Sequence, residues 1–348
     1  MTECWRLSPT MLGHVTRGGD ISDISPMTKH ILNGPRCERS LMDEGAILIA
    51  GVGGIGCIWA ERAHSRCQDL SDLLLIDADE NSFAGAPAAH CLHLDAGGDG
   101  RGTAALPALA AHRLRDGLNS INPLLEQAEL IIIMTGLGGG MGSGASAELA
   151  ALSKEAECLV LTIAGLPFAE QPLRSSIAEA AMPALEDNSH VCVRVSMERL
   201  AWQARYREAD WRTGSGWIEE LIEGLVTTLA KVGKINLDLM DLRTVINRPG
   251  NATLIVGTGT TEKPEQVVSK ASRSPLSELS VDGAKGCMIQ VEGGPDMTLG
   301  HLNEVTEAFV STLDPDCQVI LGARASDEMV GRIRLVAVVS GIYSGQVD

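Results

Sequence analysis

Residues 136–144 read Gly-Leu-Gly-Gly-Gly-Met-Gly-Ser-Gly, between the apolar run Leu130–Met134 and an alanine-rich helical pattern that starts near Ala145. Six glycines in nine residues carry a heavy conformational cost, because glycine has the most backbone freedom to lose. A flexible linker is the plain alternative, but linkers do not ordinarily join a buried strand directly to a helix. A glycine loop that enters a helix presents backbone N–H groups and the positive end of the helix dipole, which together cradle an anion.

Outward from this loop, short apolar runs alternate with helical patterns. Ala46–Ala50, Leu73–Ile76, Leu130–Met134, Leu159–Ala164 and Val191–Val195 read as strands, with a helix over Ile58–Arg66. Strands that are continuously Ile, Val and Leu, separated by helices, predict a parallel sheet covered on both faces. A second glycine loop, Gly51-Val52-Gly53-Gly54-Ile55-Gly56, follows the first strand; alone it fits any dinucleotide fold. A third cluster, Gly97 to Thr103 with Arg101, reads equally as a wrap for a terminal phosphate and as a plain surface loop. Trp217 to Lys231 carries Ile218, Leu221, Ile222, Leu225 and Leu229 at helical spacing, which predicts one long amphipathic helix. Beyond it, Leu254–Val256, Cys287–Val291, Val319–Ala323 and Ile333–Val339 read as strands, with helices near Lys263–Ala271 and Leu299–Leu313. The expected divisions are an extension over 1–44, a nucleotide-binding domain over 45–215, a central helix and acidic loop over 216–250, and a smaller α/β domain over 251–348. The extension reads as a loose arm, with Trp5, Leu7, Met11 and Leu12 as an alternative docking patch.

Composition narrows the class. At 348 residues, 45% apolar and 21% charged, the chain is an ordinary globular protein of about two domains. A formal charge of −17 argues against binding nucleic acid or anionic lipid nonspecifically. No apolar run reaches the roughly 18–20 residues of a membrane-spanning helix, and no secretion signal is legible. Nine cysteines with no CxxC pair read as reduced thiols, so no metal site is expected among them and the expected location is cytoplasmic.

Two motifs in order carry a family resemblance. Gly138 to Gly144, GGGMGSG, resembles the GGGTGTG signature of the tubulin/FtsZ superfamily. Gly233 to Val245, GKINLDLMDLRTV, is similar to the FtsZ loop of pattern G-x-x-N-x-D-F-A-D-x-R-T-V and follows the long helix. Further likenesses run through Ser274-Pro275-Leu276, Asp282 to Gly286, Gly293-Gly294 and Val339-Ser340-Gly341, so the resemblance spans about 45 to 341.

The resemblance implies an FtsZ-like cytoskeletal GTPase, using GTP/GDP and Mg²⁺, that polymerises head to tail with itself and hydrolyses nucleotide between subunits. It assigns phosphate contacts to Gly53, Gly54, Gly56, Gly138, Gly139, Gly140, Met141, Gly142 and Ser143. It gives ribose and phosphate contacts to Glu170 and Arg174, and a base-stacking ring to Trp211. Asp238 and Asp241, with Asn236, would polarise water at the adjacent subunit's nucleotide. A first-turn Asp also stabilises a helix by charge, so those two carboxylates have a plain structural alternative.

Departures from the pattern bear on specificity. Met197 and Ser215-Gly216 stand where FtsZ has its guanine-reading Asn and Asn-Asp, Met141 replaces a Thr, Ile58 an Asn and Ala111 an Arg. Slow or nucleotide-relaxed hydrolysis is therefore expected. FtsZ normally continues into a linker and a membrane-recruiting peptide, and the chain given ends at Asp348. An accessory role in division or membrane remodelling is expected, with a membrane-linked protein partner as a candidate through residues 1–44. Two other readings stay open: a non-hydrolysing scaffold, and an ATP-dependent adenylyltransferase-like enzyme that would use the first glycine loop with Asp77 and Asp79.

Overall fold

Strand β1, Ile47–Val52, is fully buried and pairs in parallel with β2 (Asp72–Asp77) on one side and β4 (Leu130–Gly136) on the other. In the computed structural model, which describes residues 42–43, 45–86, 89–94, 103, 105–206, 208, 210–212, 216–274 and 281–342, the chain divides into two units near residue 226. Nearly all of the extension 1–44, the glycines 97–102, Ser215, and Pro275 with Leu276 lie outside the described residues.

The first unit is a six-stranded parallel sheet of order β3-β2-β1-β4-β5-β6, completed by β3 (His90–His93), β5 (Leu159–Leu166) and β6 (Val191–Ser196). Its helices are α1 (Gly53–His64), α2 (Pro107–Asp116), α3 (Leu118–Gln127), α4 (Ser146–Glu155), α5 (Pro172–Asn188) and α6 (Met197–Tyr206). A core of Leu48, Ile76, Leu114, Ile131, Leu149 and Val160 joins sheet to helices. Each such side chain contributes about 1.5–3 kcal/mol through burial. The expected parallel sheet is present. β3 has only one buried residue, Leu92, which is why apolar runs did not define it.

Helix α7, Trp217–Ala230, buries the five predicted positions Ile218, Leu221, Ile222, Leu225 and Leu229. The second unit holds α8 (Leu239–Ile246), β7 (Asn251–Thr260), α9 (Glu265–Ala271), β8 (Gly286–Gly293), α10 (Leu299–Val310), β9 (Gln318–Ala325) and β10 (Arg332–Ile342). Its sheet order is β7-β10-β8-β9; β10 runs antiparallel to β7 and β8, while β8 and β9 are parallel. Among the described residues no helix is long and apolar enough to cross a membrane.

Candidate functional site

In an open parallel sheet, ligands sit beyond the carboxyl ends of the strands where the strand order reverses. Here that point lies between β1 and β4, and both strands run straight into glycine loops. The loops touch. Gly53 has φ +76°, and a Cβ there would lie 3.3 Å from the Gly142 nitrogen, so a side-chain-bearing residue would be strained and crowded.

The structure differs from the sequence expectation in where the helices begin. α1 starts at Gly53, not Ile58, and the second loop is already helical at Gly140, passing through a single π turn, Met141–Ala145, before α4. The glycines are themselves the first helical turns. Their low helix propensity hid this, because close backbone packing overrides it. Hydroxyls hold the second loop. Thr135 Oγ1 and Ser146 Oγ both donate to the Gly142 carbonyl, the first at 2.8 Å. Ser143 Oγ accepts from the Gly138 N–H at 2.9 Å.

Between the two loops lies a cleft of about 870 Å³. Of the residues singled out in sequence, Gly53, Gly54, Gly139, Gly140, Met141, Gly142 and Arg174 line it. Gly56 instead packs against the Met134 carbonyl, and Ser143 is buried with its hydroxyl spent on Gly138. Glu170 is exposed outside the lining. Trp211, half-buried, also stands outside it, with its ring edge-on to Phe168 at 5.4 Å and the Arg212 guanidinium 4.6 Å from its centroid.

Asp77, Asp79, Glu80, Asn81, His93 and Thr103 line the facing wall, from the end of β2, the turn after it, β3 and one residue of the third loop. Of these, Asp77 and Asp79 are paired with the first glycine loop only in the adenylyltransferase-like reading, Thr103 belongs to the loop read equally as a phosphate wrap or a surface loop, and Glu80, Asn81 and His93 were not foreseen. Asp77 is buried; its Oδ1 accepts from the Ala78 N–H at 2.7 Å and its Oδ2 from Ser82 Oγ at 2.5 Å. Burial pushes the Asp77 carboxyl above the ordinary range, against the lowering effect of the Ser82 and Ala78 hydrogen bonds. The sequence signal was the Asp77-Ala78-Asp79 run at the end of a strand adjacent to β1.

In the second unit, Asn236, Asp238 and Asp241 form one ordered loop. Asn236 Oδ1 accepts from the Gly233 N–H at 2.7 Å. Asp238 caps α8: its Oδ1 accepts from the N–H groups of Met240 and Asp241 at 2.8 and 2.9 Å, and Asp241 Oδ2 accepts from the Asp238 N–H at 3.1 Å. The structural alternative raised from sequence is thus present, as a reciprocal capping box. Both carboxylates remain at the surface: Asp238 is exposed and Asp241 half-buried.

Comparison with known proteins places both units of the chain. The tubulin/FtsZ family GTPase domain matches residues 46–203, and the FtsZ family C-terminal domain matches 250–343. The chain is 30% identical over 311 residues to cell division protein FtsZ 1 of Archaeoglobus fulgidus, covering 86% of this chain and 83% of that one. It is 29% identical to cell division protein FtsZ of Haloferax mediterranei, covering 86% and 81%. Among solved structures, an empty FtsZ dimer from M. jannaschii superposes with TM-score 0.72 at 24% identity, covering 91% of this chain and 93% of that one. A GTPγS-bound protofilament of CetZ2 from Haloferax volcanii gives 0.70 at 18%, covering 86% and 95%. The two glycine loops at one switch point, the acidic loop after a long helix and the second sheet therefore belong together, and the chain is a member of the tubulin/FtsZ family, carrying its GTPase domain and its FtsZ-type C-terminal domain.

Proposed function

We propose that this protein is a filament-forming GTPase in which GTP occupies the cleft between the β1 and β4 loops, and Asp238 and Asp241 of one subunit act on the nucleotide of the next. The carrying observation is that the two glycine loops meet at a cleft within the first unit, while the acidic loop of the second unit keeps Asp238 exposed and Asp241 half-buried at its surface. Phosphoryl transfer asks a protein for positioning, charge stabilisation and an oriented water. Backbone N–H groups at the starts of α1 and α4, with Arg174, would take the phosphates. A cleft of about 870 Å³ falls within the roughly 300–1,000 Å³ of small-molecule sites.

Magnesium is implied by the same reading, and the donor set suits it. Among the described residues there is no group of three or more metal-ligating side chains. Mg²⁺ is commonly held by one or two carboxylates, water and the substrate's phosphates, and Asp79 with Asn81 supplies hard oxygens on the facing wall. Bound there, it would offset charge on the polyphosphate.

Exposed apolar side chains support head-to-tail association. Leu106 and Leu173 are 56% and 74% exposed beside the cleft, and Ile235 and Met240 are 40% and 67% exposed beside the acidic loop. Two different patches that meet between identical subunits form a heterologous contact, which propagates into a filament when the rotation does not close. An accessory role in cell division or membrane remodelling is the cellular counterpart of this reading.

The test is GTP turnover per subunit across protein concentration, beside pelleting with GTP, GDP and ATP. Turnover that rises cooperatively with concentration is expected. Pelleting without phosphate release at any concentration would leave a scaffold instead, and no nucleotide binding would remove both readings.

Asp77 yields a second expectation. A unit charge several ångströms from a polyphosphate at an effective dielectric near 20 is worth about 2 kcal/mol before screening. Asp77→Asn is therefore expected to tighten GTP binding about tenfold in the absence of divalent metal, with a smaller gain when Mg²⁺ is present. Titration with a fluorescent GTP analogue, with and without EDTA, measures both. Equal affinities in EDTA would show that Asp77 does not face the phosphates.

A further inference from the structure

The acidic loop is not fixed by its capping box alone. β9 is the outer strand of its sheet, and residues 234–235 pair with its free edge. The N–H groups of Lys234 and Ile235 donate to the Ala323 carbonyl at 2.7 and 3.0 Å, and the Ala323 N–H returns a bond to the Ile235 carbonyl at 3.1 Å. On either side of that bridge the loop rests on β9. Beneath Gly233 lies Arg324, whose Cβ is 3.4 Å from where a Gly233 side chain would begin. Beneath Leu237, which is buried, lies Gly322.

Gly322 is the decisive contact. It pairs with Gln290 of β8, and a methyl group on it would meet Gln290 Oε1 and sit 2.6 Å from Leu237 Cγ. Glycine inside a strand marks a place where another segment comes close. Here the segment is Leu237, the residue immediately before Asp238. A methyl group at 322 cannot fit unless Gln290 Oε1 swings away and the Leu237 side chain gives ground, which presses on the residue next to the first carboxylate.

We propose that Gly322 is a positioning residue for hydrolysis: its missing side chain sets how far the acidic loop stands from the β7–β10 sheet, and so where Asp238 and Asp241 meet the neighbouring subunit's nucleotide. This rests on the reading of those carboxylates given under Proposed function. Gly322 touches no nucleotide and acts only through Leu237.

Wild type, Gly322→Ala and the double variant Gly322→Ala/Leu237→Ala are compared for GTP affinity, turnover at saturating GTP, and amide hydrogen exchange over residues 233–241. A misplacement of about 1 Å can cost 10²-fold in rate, so Gly322→Ala is expected to lose about 10²-fold in turnover with GTP affinity within twofold of wild type. Exchange at Lys234 and Ile235 should quicken. The double variant, whose shortened side chain vacates the contested space, should recover at least about tenfold of the loss. Unchanged exchange over 233–241, turnover within twofold of wild type, or a loss of GTP binding alongside turnover would each overturn the proposal. Wild-type protein that hydrolyses no GTP sinks the functional reading instead, and the exchange comparison then decides the positioning claim by itself.

Discussion

Asp238→Asn is expected to leave the protein as stable as before and to lower GTP turnover by about 10²–10⁴-fold, the range for removal of a group that handles the proton of attacking water. The substitution separates the capping role seen in the structure from the proposed role in hydrolysis. Asp238 is the N-cap of α8, accepting two backbone N–H bonds. Asn caps helices about as well as Asp, so the cap survives and only the charge goes. The site is exposed, which keeps the stability change within about 0.5 kcal/mol. Asp238→Ala is the control that removes both, and should add a stability loss of about 1 kcal/mol. Phosphate release at saturating GTP, read beside thermal unfolding of each variant, gives the answer. Full turnover in Asp238→Asn with impaired turnover only in Asp238→Ala would reduce Asp238 to a capping residue, and the intersubunit mechanism would lose its first carboxylate.

The fold was legible wherever burial writes itself as composition. β1, β2, β4 and β5 are buried along nearly their whole length, so apolar residues dominate their sequences, and the edge strand β6 keeps Val191, Val193 and Val195 buried around an exposed Arg194; the apolar runs match each of the five to within a residue or two of its ends. β3 has solvent on most of its residues and lacks that mark. The acidic wall of the cleft was obscured for another reason. Asp77 comes beside Gly54, and Asp79 into the same cleft, only because β2 pairs with β1, and pairing is not written in either strand alone. In sequence those two aspartates enter only the adenylyltransferase-like reading, and the fold sets them in the lining of the cleft. Hydroxyls such as Thr135 and Ser146 were silent too: each is an unremarkable residue in sequence, and becomes a staple only when the glycine loop folds back onto it. Gly322 belongs with them. Its neighbour Leu237 is 85 positions away in the chain, and an absent side chain leaves no pattern for periodicity to detect.

The sheet that carries the acidic loop has an electrostatic dependence of its own, and breaking it should have the largest stability effect. Glu292 of β8 lies between two arginines: Arg334 of β10 donates to its Oε2 from Nε at 3.1 Å and from Nη2 at 2.5 Å, and Arg324 of β9 approaches its Oε1 at 3.5 Å. Register makes this cluster, since Glu292 pairs with Arg334 on one side and with Arg324 on the other. Glu292 and Arg334 are both buried. Removing one partner of a buried ion pair strands the other charge in a poorly solvated place, at a cost of about 3–5 kcal/mol. Glu292→Ala removes the buried carboxylate that the Arg334 and Arg324 side chains share, so a loss toward that range is expected, lowering the melting temperature by about 10 °C. The pair's net contribution is a different quantity, because its attraction has already been spent against desolvation. Glu292→Met together with Arg334→Met should therefore fall well short of the Glu292→Ala loss. Thermal and urea unfolding of wild type, Glu292→Ala, Glu292→Met, Arg334→Met and the Glu292→Met/Arg334→Met double variant close the cycle. If Glu292→Ala melts within about 2 °C of wild type, Glu292 does not hold the arginines as the geometry implies, and β8, β9 and β10 rest on apolar packing alone.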